Sequence, residues 1–165
     1  MRIRDWRLAP SHAIAYGTVV VGVLDGLDAL IFFGLRGAAP ARIFQSIAAG
    51  LVGRQTAFQG GAATTLLGVG LHHFVVAFGI VSTYFLLSRK IQVLTRHPLI
   101  CGALYGVLVY FVMNLVVIPR SALGRGAFPP PLPVLANGVL IHILGVGLPT
   151  AFIVGRASPT SSVAR

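Results

Sequence analysis

The strongest constraint on this chain is an apolar run, residues 19–35, that carries two aspartates. The run reads VVVGVLDGLDALIFFGL and contains Asp25 and Asp28, two of the three acidic residues in the sequence. Placing a carboxylate inside a bilayer costs about 2.5–3.5 kcal/mol on insertion scales, so such residues usually face a partner or a wet cavity. The run therefore predicts a membrane span with a polar site on one face.

Composition assigns the whole chain to the membrane class. It is 56% hydrophobic and only 10% charged, whereas soluble domains are about 25% charged. A soluble fold of 165 residues has too little interior for that much apolar side chain. The net charge of +10 comes from basic residues dispersed between apolar runs. That pattern is typical of topogenic and lipid-binding charge and argues against a nucleic-acid partner.

Four apolar runs are each long enough, at about 20 residues, to cross a bilayer core of about 30 Å. The predicted spans are residues 13–35, 64–87, 99–118 and 134–154, with a polar tail at 155–165. The predicted fold class is an all-α membrane protein, a four-transmembrane-helix bundle forming a single domain over residues 1–165. Gly102 and Gly106, four positions apart in the third span, predict a close helix contact.

The connection between spans 1 and 2 predicts an amphipathic interfacial helix. Residues 41–58 read ARIFQSIAAGLVGRQTAF, with apolar residues at helical spacing. The polar positions between them are Arg42, Gln45, Arg54 and Gln55. Such a helix lies on the membrane surface or across the mouth of the bundle. The lipid bilayer is therefore the expected partner of this segment.

The distribution of basic residues predicts that both termini are cytoplasmic. Four spans place both termini on one side, and that side carries eight basic residues: Arg2, Arg4, Arg7, Arg89, Lys90, Arg96, Arg156 and Arg165. The other side carries five: Arg36, Arg42, Arg54, Arg120 and Arg125. Because cytoplasmic loops carry the excess of Lys and Arg, this difference favours N-in and C-in.

This topology brings polar side chains from all four spans to one level of the membrane. At 1.5 Å per residue, Asp28 lies about 10 Å from the outer end of its span, and the span 2 and span 4 histidines lie about 12–14 Å deep. The predicted buried polar site consists of Asp25, Asp28, His72, His73, Tyr110, Asn114 and His142. Adjacent His72 and His73 point about 100° apart, so only one of them can face the centre. Each residue also has a structural interpretation, as a hydrogen-bonding contact between helices.

Three chemistries fit such a site. Carboxylates and histidines in series are the usual parts of a proton relay. A divalent metal is a second option, with Asp28, His73 and His142 as candidate ligands. A third is haem, held by histidines from two spans. The sequence has no P-loop, no G-x-S-x-G, no CxxC and no glutamate, which argues against an enzyme of hydrolytic or nucleotide chemistry.

Three segments together resemble a known family. LHHFVVAFGIVSTYFL, LICGALYGVLVYFVMNLVVIP and NGVLIHILGVGLP are similar to bacterial inner-membrane proteins of the YagU-like family. These pair a histidine-bearing aromatic span with a glycine-bearing span that ends at a proline, before a final histidine-bearing span. The resemblance covers about residues 65–150 and matches His73, Pro119 and His142. It implies a bacterial inner-membrane location, and the family's loose link to acid tolerance agrees with proton chemistry.

We therefore expect a small inner-membrane protein whose Asp/His site handles or senses protons or a small cation, without a cofactor. The alternatives are a haem- or metal-binding accessory or electron-transfer subunit, and a structural partner of a larger membrane complex. Because four spans enclose little volume, transport across the membrane would require a homo-oligomer.

Overall fold

The computed structural model describes residues 8–124, 126 and 128–157, and these form an all-helical multi-pass fold. In chain order the helices are α1 (Pro10–Gly34), α2 (Pro40–Val52), α3 (Arg54–Gln59), α4 (Gly61–Lys90), α5 (Val93–Arg96), α6 (Pro98–Arg120) and α7 (Leu132–Gly155). Four of them, α1, α4, α6 and α7, are long and apolar enough to cross a membrane. Within the described ranges β-pairing is limited to one isolated bridge, between Leu8 and Ala157. The tail at 155–165 lies mostly outside the described residues.

Prolines explain where several helices begin. Pro10, Pro40 and Pro98 are the first residues of α1, α2 and α6, and α7 has a proline at its second position. The first-turn N–H groups of a helix have no intrahelical partner, so a proline there removes nothing. For this reason α1, α6 and α7 begin up to three residues before the predicted spans.

The segment predicted as one helix over residues 41–58 forms two helices. Gly53 has φ +81°, a conformation that ends a right-handed helix and that glycine adopts without steric cost. Gln45, one of the polar positions of that predicted helix, is buried. Its Nε2 donates to Gly61 O over 3.0 Å, which ties α2 to the start of α4. A Cβ at Gly68 on α4 would collide with Phe44 O, so α2 lies very close to α4.

The long helices pack around α1 and α7. α1 contacts both α4 and α7, and α6 packs along α7. The predicted close contact of Gly102 and Gly106 is present, because a Cβ at Gly106 would collide with His142 O, and one at Gly102 would lie 3.0 Å from Gly147 O. Without side chains at these glycines, the two backbones approach directly.

The apolar core fills the bundle from its middle to the end at which α1 begins and α7 ends. Leu8 N donates to Arg156 O over 3.0 Å and joins the start of α1 to the end of α7. We call this the terminal end, and the opposite end, where α2 lies, the α2 end. The core consists of Val21, Ala77, Val81, Tyr84, Val109, Val146, Ala151 and Val154. The polar side chains predicted to meet lie between this core and the α2 end.

Candidate functional site

Three of the long helices change to π-helical geometry where they carry polar residues. The segments are Leu71–Ala77 in α4, Met113–Val117 in α6 and His142–Gly147 in α7. They contain His72, His73, Asn114 and His142. Short π-helical segments inside α-helices occur frequently at functional sites. The sequence pattern carried no signal for them, because π and α turns differ only in which carbonyl each N–H reaches.

Three of these side chains bind a carbonyl of their own helix, four residues earlier. Asn114 Nδ2 donates to Tyr110 O over 2.9 Å, and the Nδ1 atoms of His73 and His142 lie 3.2 and 2.8 Å from the carbonyls of Val69 and Gly138. These local bonds satisfy one polar atom per side chain without a partner across the bundle.

His72 is held against α1. It is buried, and its Nε2 lies 2.9 Å from Gly22 O. The same nitrogen lies 3.9 Å from Asp25 Oδ2, beyond hydrogen-bonding distance. Both histidine rings fit because α1 has glycines opposite them. A Cβ at Gly22 would lie 2.6 Å from the ring of His73, and one at Gly26 would lie 3.4 Å from His72 Nε2.

Asp28 has a partner that the predicted site omitted. Asn137 Nδ2 on α7 donates a hydrogen bond of 2.8 Å to Asp28 Oδ2 on α1. The depth count does not pair the two residues, because Asn137 lies about 4.5 Å into the predicted fourth span and Asp28 lies about 10 Å from the outer end of its span. Depth along a helix also does not specify which helices are neighbours, so the predicted site did not include Asn137.

Two adjoining cavities lie between the helices at this level. The first, about 200 Å³, extends from His72 toward Val21, Ala77 and Val146 in the apolar core. The second, about 260 Å³, contains Asp28, Tyr110 and Asn137 and reaches the α2 end at Phe33, Pro130 and Val134. Both are large enough for water. Three residues line both cavities and therefore stand at their junction: Asp25, Asn114 and His142.

The structure brings six of the seven predicted site residues to these cavities. Asp25, His72, Asn114 and His142 line the first; Asp28 and Tyr110 line the second, where the Tyr110 ring contacts the His142 ring edge-on at 5.3 Å. The seventh, His73, lines neither cavity.

The candidate metal ligands Asp28, His73 and His142 do not form a set. In the described part of the chain, no group of three His, Cys, Asp or Glu side chains is close enough to hold a metal ion.

The hydrogen bonds determine which ring nitrogens are free. A carbonyl oxygen only accepts hydrogen bonds, so the nitrogen facing it must carry the hydrogen. In the neutral rings, Nε2 of His72 and Nδ1 of His142 are therefore the protonated atoms. His72 Nδ1 and His142 Nε2 remain available to accept a proton from water or a carboxylic acid. The site can accordingly hold protons on carboxylates and on imidazoles.

The described walls of the two cavities carry acidic side chains but no permanently basic ones. The described residues lining the two cavities include two aspartates and two histidines but no lysine or arginine. A carboxylate in a membrane is normally paired, hydrated or protonated. Here no permanent positive charge is provided, so neutralisation requires a proton or a mobile cation.

The fold and the site together define a small multi-pass membrane protein with a polar site enclosed by its four long helices. Neither a scan against protein-family models nor searches of curated proteins and of solved structures finds a match to this chain. The site's own geometry must therefore support any functional assignment.

Proposed function

We propose that this chain is a bacterial inner-membrane protein that binds and releases protons, or a small cation, at Asp25 and Asp28. The observation that carries the proposal is the pair of carboxylates facing two adjoining cavities whose described walls contain no lysine or arginine. Two negative charges in a low-dielectric site are strongly unfavourable unless they are compensated. Proton or cation binding supplies that compensation and makes the charge of the site depend on the surrounding solution.

Access to this site is from the α2 end. The cavity containing Asp28 reaches Phe33, Pro130 and Val134 at that end of the bundle. In the other direction, the cavity containing His72 is lined by Val21, Ala77 and Val146, which belong to the apolar core. One-sided access suits a site that senses or stores protons. Passage across the membrane would require a conformational change or a second copy of the chain.

The histidines extend the site inward from the aspartates. His142 stands at the junction of the cavities, and its free Nε2 can exchange a proton with either. His72 lies next to Asp25, at 3.9 Å, and forms the inner limit of the polar region. Proton exchange therefore involves Asp28, Asp25 and His142, while His72 closes the polar region with an Nε2–H that donates to Gly22 O.

The proposed orientation places both termini in the cytoplasm, as the basic-residue count favours. The site then opens to the periplasm, and α2 lies at the periplasmic membrane interface as an amphipathic helix. The resemblance to YagU-like inner-membrane proteins, with their loose link to acid tolerance, supports the same location and proton chemistry.

Proton uptake into oriented proteoliposomes tests the proposal. A pH jump is applied to one face, and the protons taken up are measured with a dye in weak buffer. The wild type should take up protons from the α2 end, and Asp25→Asn/Asp28→Asn should not. His12→Gln and His97→Gln, at the terminal ends of α1 and α6, serve as controls. Equal uptake by the wild type and the double aspartate variant contradicts the proposal.

The cofactor alternative predicts a different result. A haem- or metal-binding accessory subunit would show a Soret band or a stoichiometric metal after purification in mild detergent, and His142→Ala would lose it. The proton proposal expects a colourless, metal-free protein whose proton uptake depends on the aspartates.

A further inference from the structure

A separate apolar cleft opens between α2, α4 and α6. Its volume is about 510 Å³, within the range of about 300–1,000 Å³ typical of ligand sites. We propose that it binds an anionic phospholipid of the surrounding bilayer, with an acyl chain in the cleft and the phosphate on Arg54. The apolar walls include Ile47, Leu51, Leu71, Val75, Met113 and Val117.

The cleft exists because α4 and α6 meet at only one end of the bundle. Toward the terminal end, Tyr105 OH on α6 donates to Ile80 O on α4 over 2.7 Å, and the rings of Tyr84 and Tyr105 are 4.8 Å apart. Toward the α2 end, α4 packs on α1 and α2 while α6 follows α7. The helices therefore separate, and α2 covers the opening between them.

The charge distribution of the cleft matches a phospholipid. Arg54, the first residue of α3, is exposed and lines the cleft, as do the hydroxyl-bearing Ser46 and Ser121. The two described acidic residues, Asp25 and Asp28, line the polar cavities and not this cleft. A guanidinium matches the geometry of a phosphate and can donate two hydrogen bonds to it.

The depth of the residues agrees with the orientation of a lipid. Arg54 lies at the α2 end, outside the long helices, whereas Leu71 and Val75 lie well inside α4. A bilayer phospholipid likewise has its phosphate at the interface and its chains in the interior. No other described residue lining the cleft is charged, so the site has one cationic position at the headgroup level and an apolar body below it.

The bound chain would lie directly beside the polar site. The cleft and the first polar cavity share Ile47, Val76, Met113 and Ile118, which form the wall between them. An acyl chain in the cleft packs against these four side chains from the side opposite the polar cavity. The binding site itself does not rest on the proposed proton chemistry.

A lipid-exchange experiment tests the headgroup assignment. The purified full-length protein is delipidated in mild detergent, supplied with phosphatidylglycerol or phosphatidylcholine, and analysed by native mass spectrometry. Phosphatidylglycerol should bind more tightly, and Arg54→Gln should weaken it about fivefold, the effect of one basic residue at an anionic lipid surface. Equal binding of both lipids by the wild type overturns the proposal.

Arg36→Gln is the matched control for the charge. Arg36 lies at the same end of the bundle, just after α1, but it donates to Phe32 O and stacks on the Phe32 ring, outside the cleft. Its loss should leave phosphatidylglycerol binding unchanged. If Arg36→Gln and Arg54→Gln weaken phosphatidylglycerol binding equally, the lipid responds to the overall surface charge and not to Arg54, and the proposed site is overturned.

A second pair of variants tests the cleft. Val75→Trp places a large ring in it, whereas Phe74→Trp changes the adjacent exposed residue, which does not line it. Bound phosphatidylglycerol should fall in Val75→Trp and persist in Phe74→Trp, with equal helix content by circular dichroism. Unchanged binding in Val75→Trp overturns the proposal. Proton uptake is measured separately, so failure of lipid binding is distinct from failure of the aspartate site.

Discussion

Asn137 on α7 donates a 2.8 Å hydrogen bond to the carboxylate of Asp28 on α1, although the two residues are 109 positions apart in the chain. The bond joins the first and last long helices near the α2 end. It also fixes one oxygen of Asp28 and leaves the carboxylate facing the cavity that contains Tyr110 and His142. Helix packing and the orientation of a site residue thus depend on the same contact.

A double-mutant cycle on Asp28 and Asn137 should show favourable coupling. Side-chain hydrogen bonds between membrane helices average about 0.6 kcal/mol and reach about 1.7 kcal/mol. We expect coupling within that range for Asp28→Ala and Asn137→Ala, measured from unfolding free energies in mixed detergent micelles. Strictly additive effects of the two substitutions would contradict the observed bond.

A parallel cycle on Asp28 and His142 tests whether the polar site acts as one unit. Both residues line the second cavity without a direct hydrogen bond between them. We expect the effects of the two substitutions on proton uptake to be measurably coupled, because the charge of each residue changes the electrostatic field at the other. Independent effects of Asp28→Asn and His142→Gln would show that the residues do not share a site.

Gly106→Ala should destabilise the bundle. A Cβ at Gly106 would collide with the backbone carbonyl of His142, which cannot move aside as a flexible side chain can. Overpacking of this kind costs about 1–3 kcal/mol. Gly79→Ala is the control, because a Cβ there meets no atom within 4 Å. Thermal unfolding of both variants in detergent checks the prediction, and equal stability would count against the close contact of α6 and α7.

Gln45→Ala should loosen α2 from α4. Gln45 Nε2 donates to Gly61 O, and the side chain is buried. Losing such a bond costs about 1 kcal/mol, so amide hydrogen exchange in α2 should accelerate about fivefold. The exposed Gln55→Ala should leave the exchange rate of α2 unchanged. Identical exchange in the wild type and Gln45→Ala would show that other contacts fix α2.

Cysteine labelling in whole cells checks the proposed orientation. In a Cys101→Ser background, Ala39→Cys marks the α2 end, and Gln92→Cys marks the terminal end between α4 and α5; both positions are exposed. A membrane-impermeant maleimide should label Ala39→Cys directly and Gln92→Cys only after the inner membrane is permeabilised. The reverse result would place the termini and the site on the opposite faces.

Several features of the site could be predicted from residue order alone. The level of Asp25, Asn114 and His142 was accessible because helical rise converts residue number into depth. Residue order could not decide which of the adjacent His72 and His73 faces the cavities. That choice depends on Gly22 and Gly26, which leave space on α1 for both rings and place His72 on the cavity side. The partner of Asp28 was missed for a related reason, since depth does not specify which helices are neighbours.

The sequence by itself determined that this chain is an all-helical, multi-pass membrane protein with four long apolar helices. Hydropathy is a sum over about 20 consecutive residues, so neighbouring positions suffice to compute it. Only the tertiary structure decided the π-helical segments, the break at Gly53, the Asn137–Asp28 bond and the cleft beneath α2. These depend on contacts between distant segments and on a few degrees of backbone rotation, which local composition does not encode.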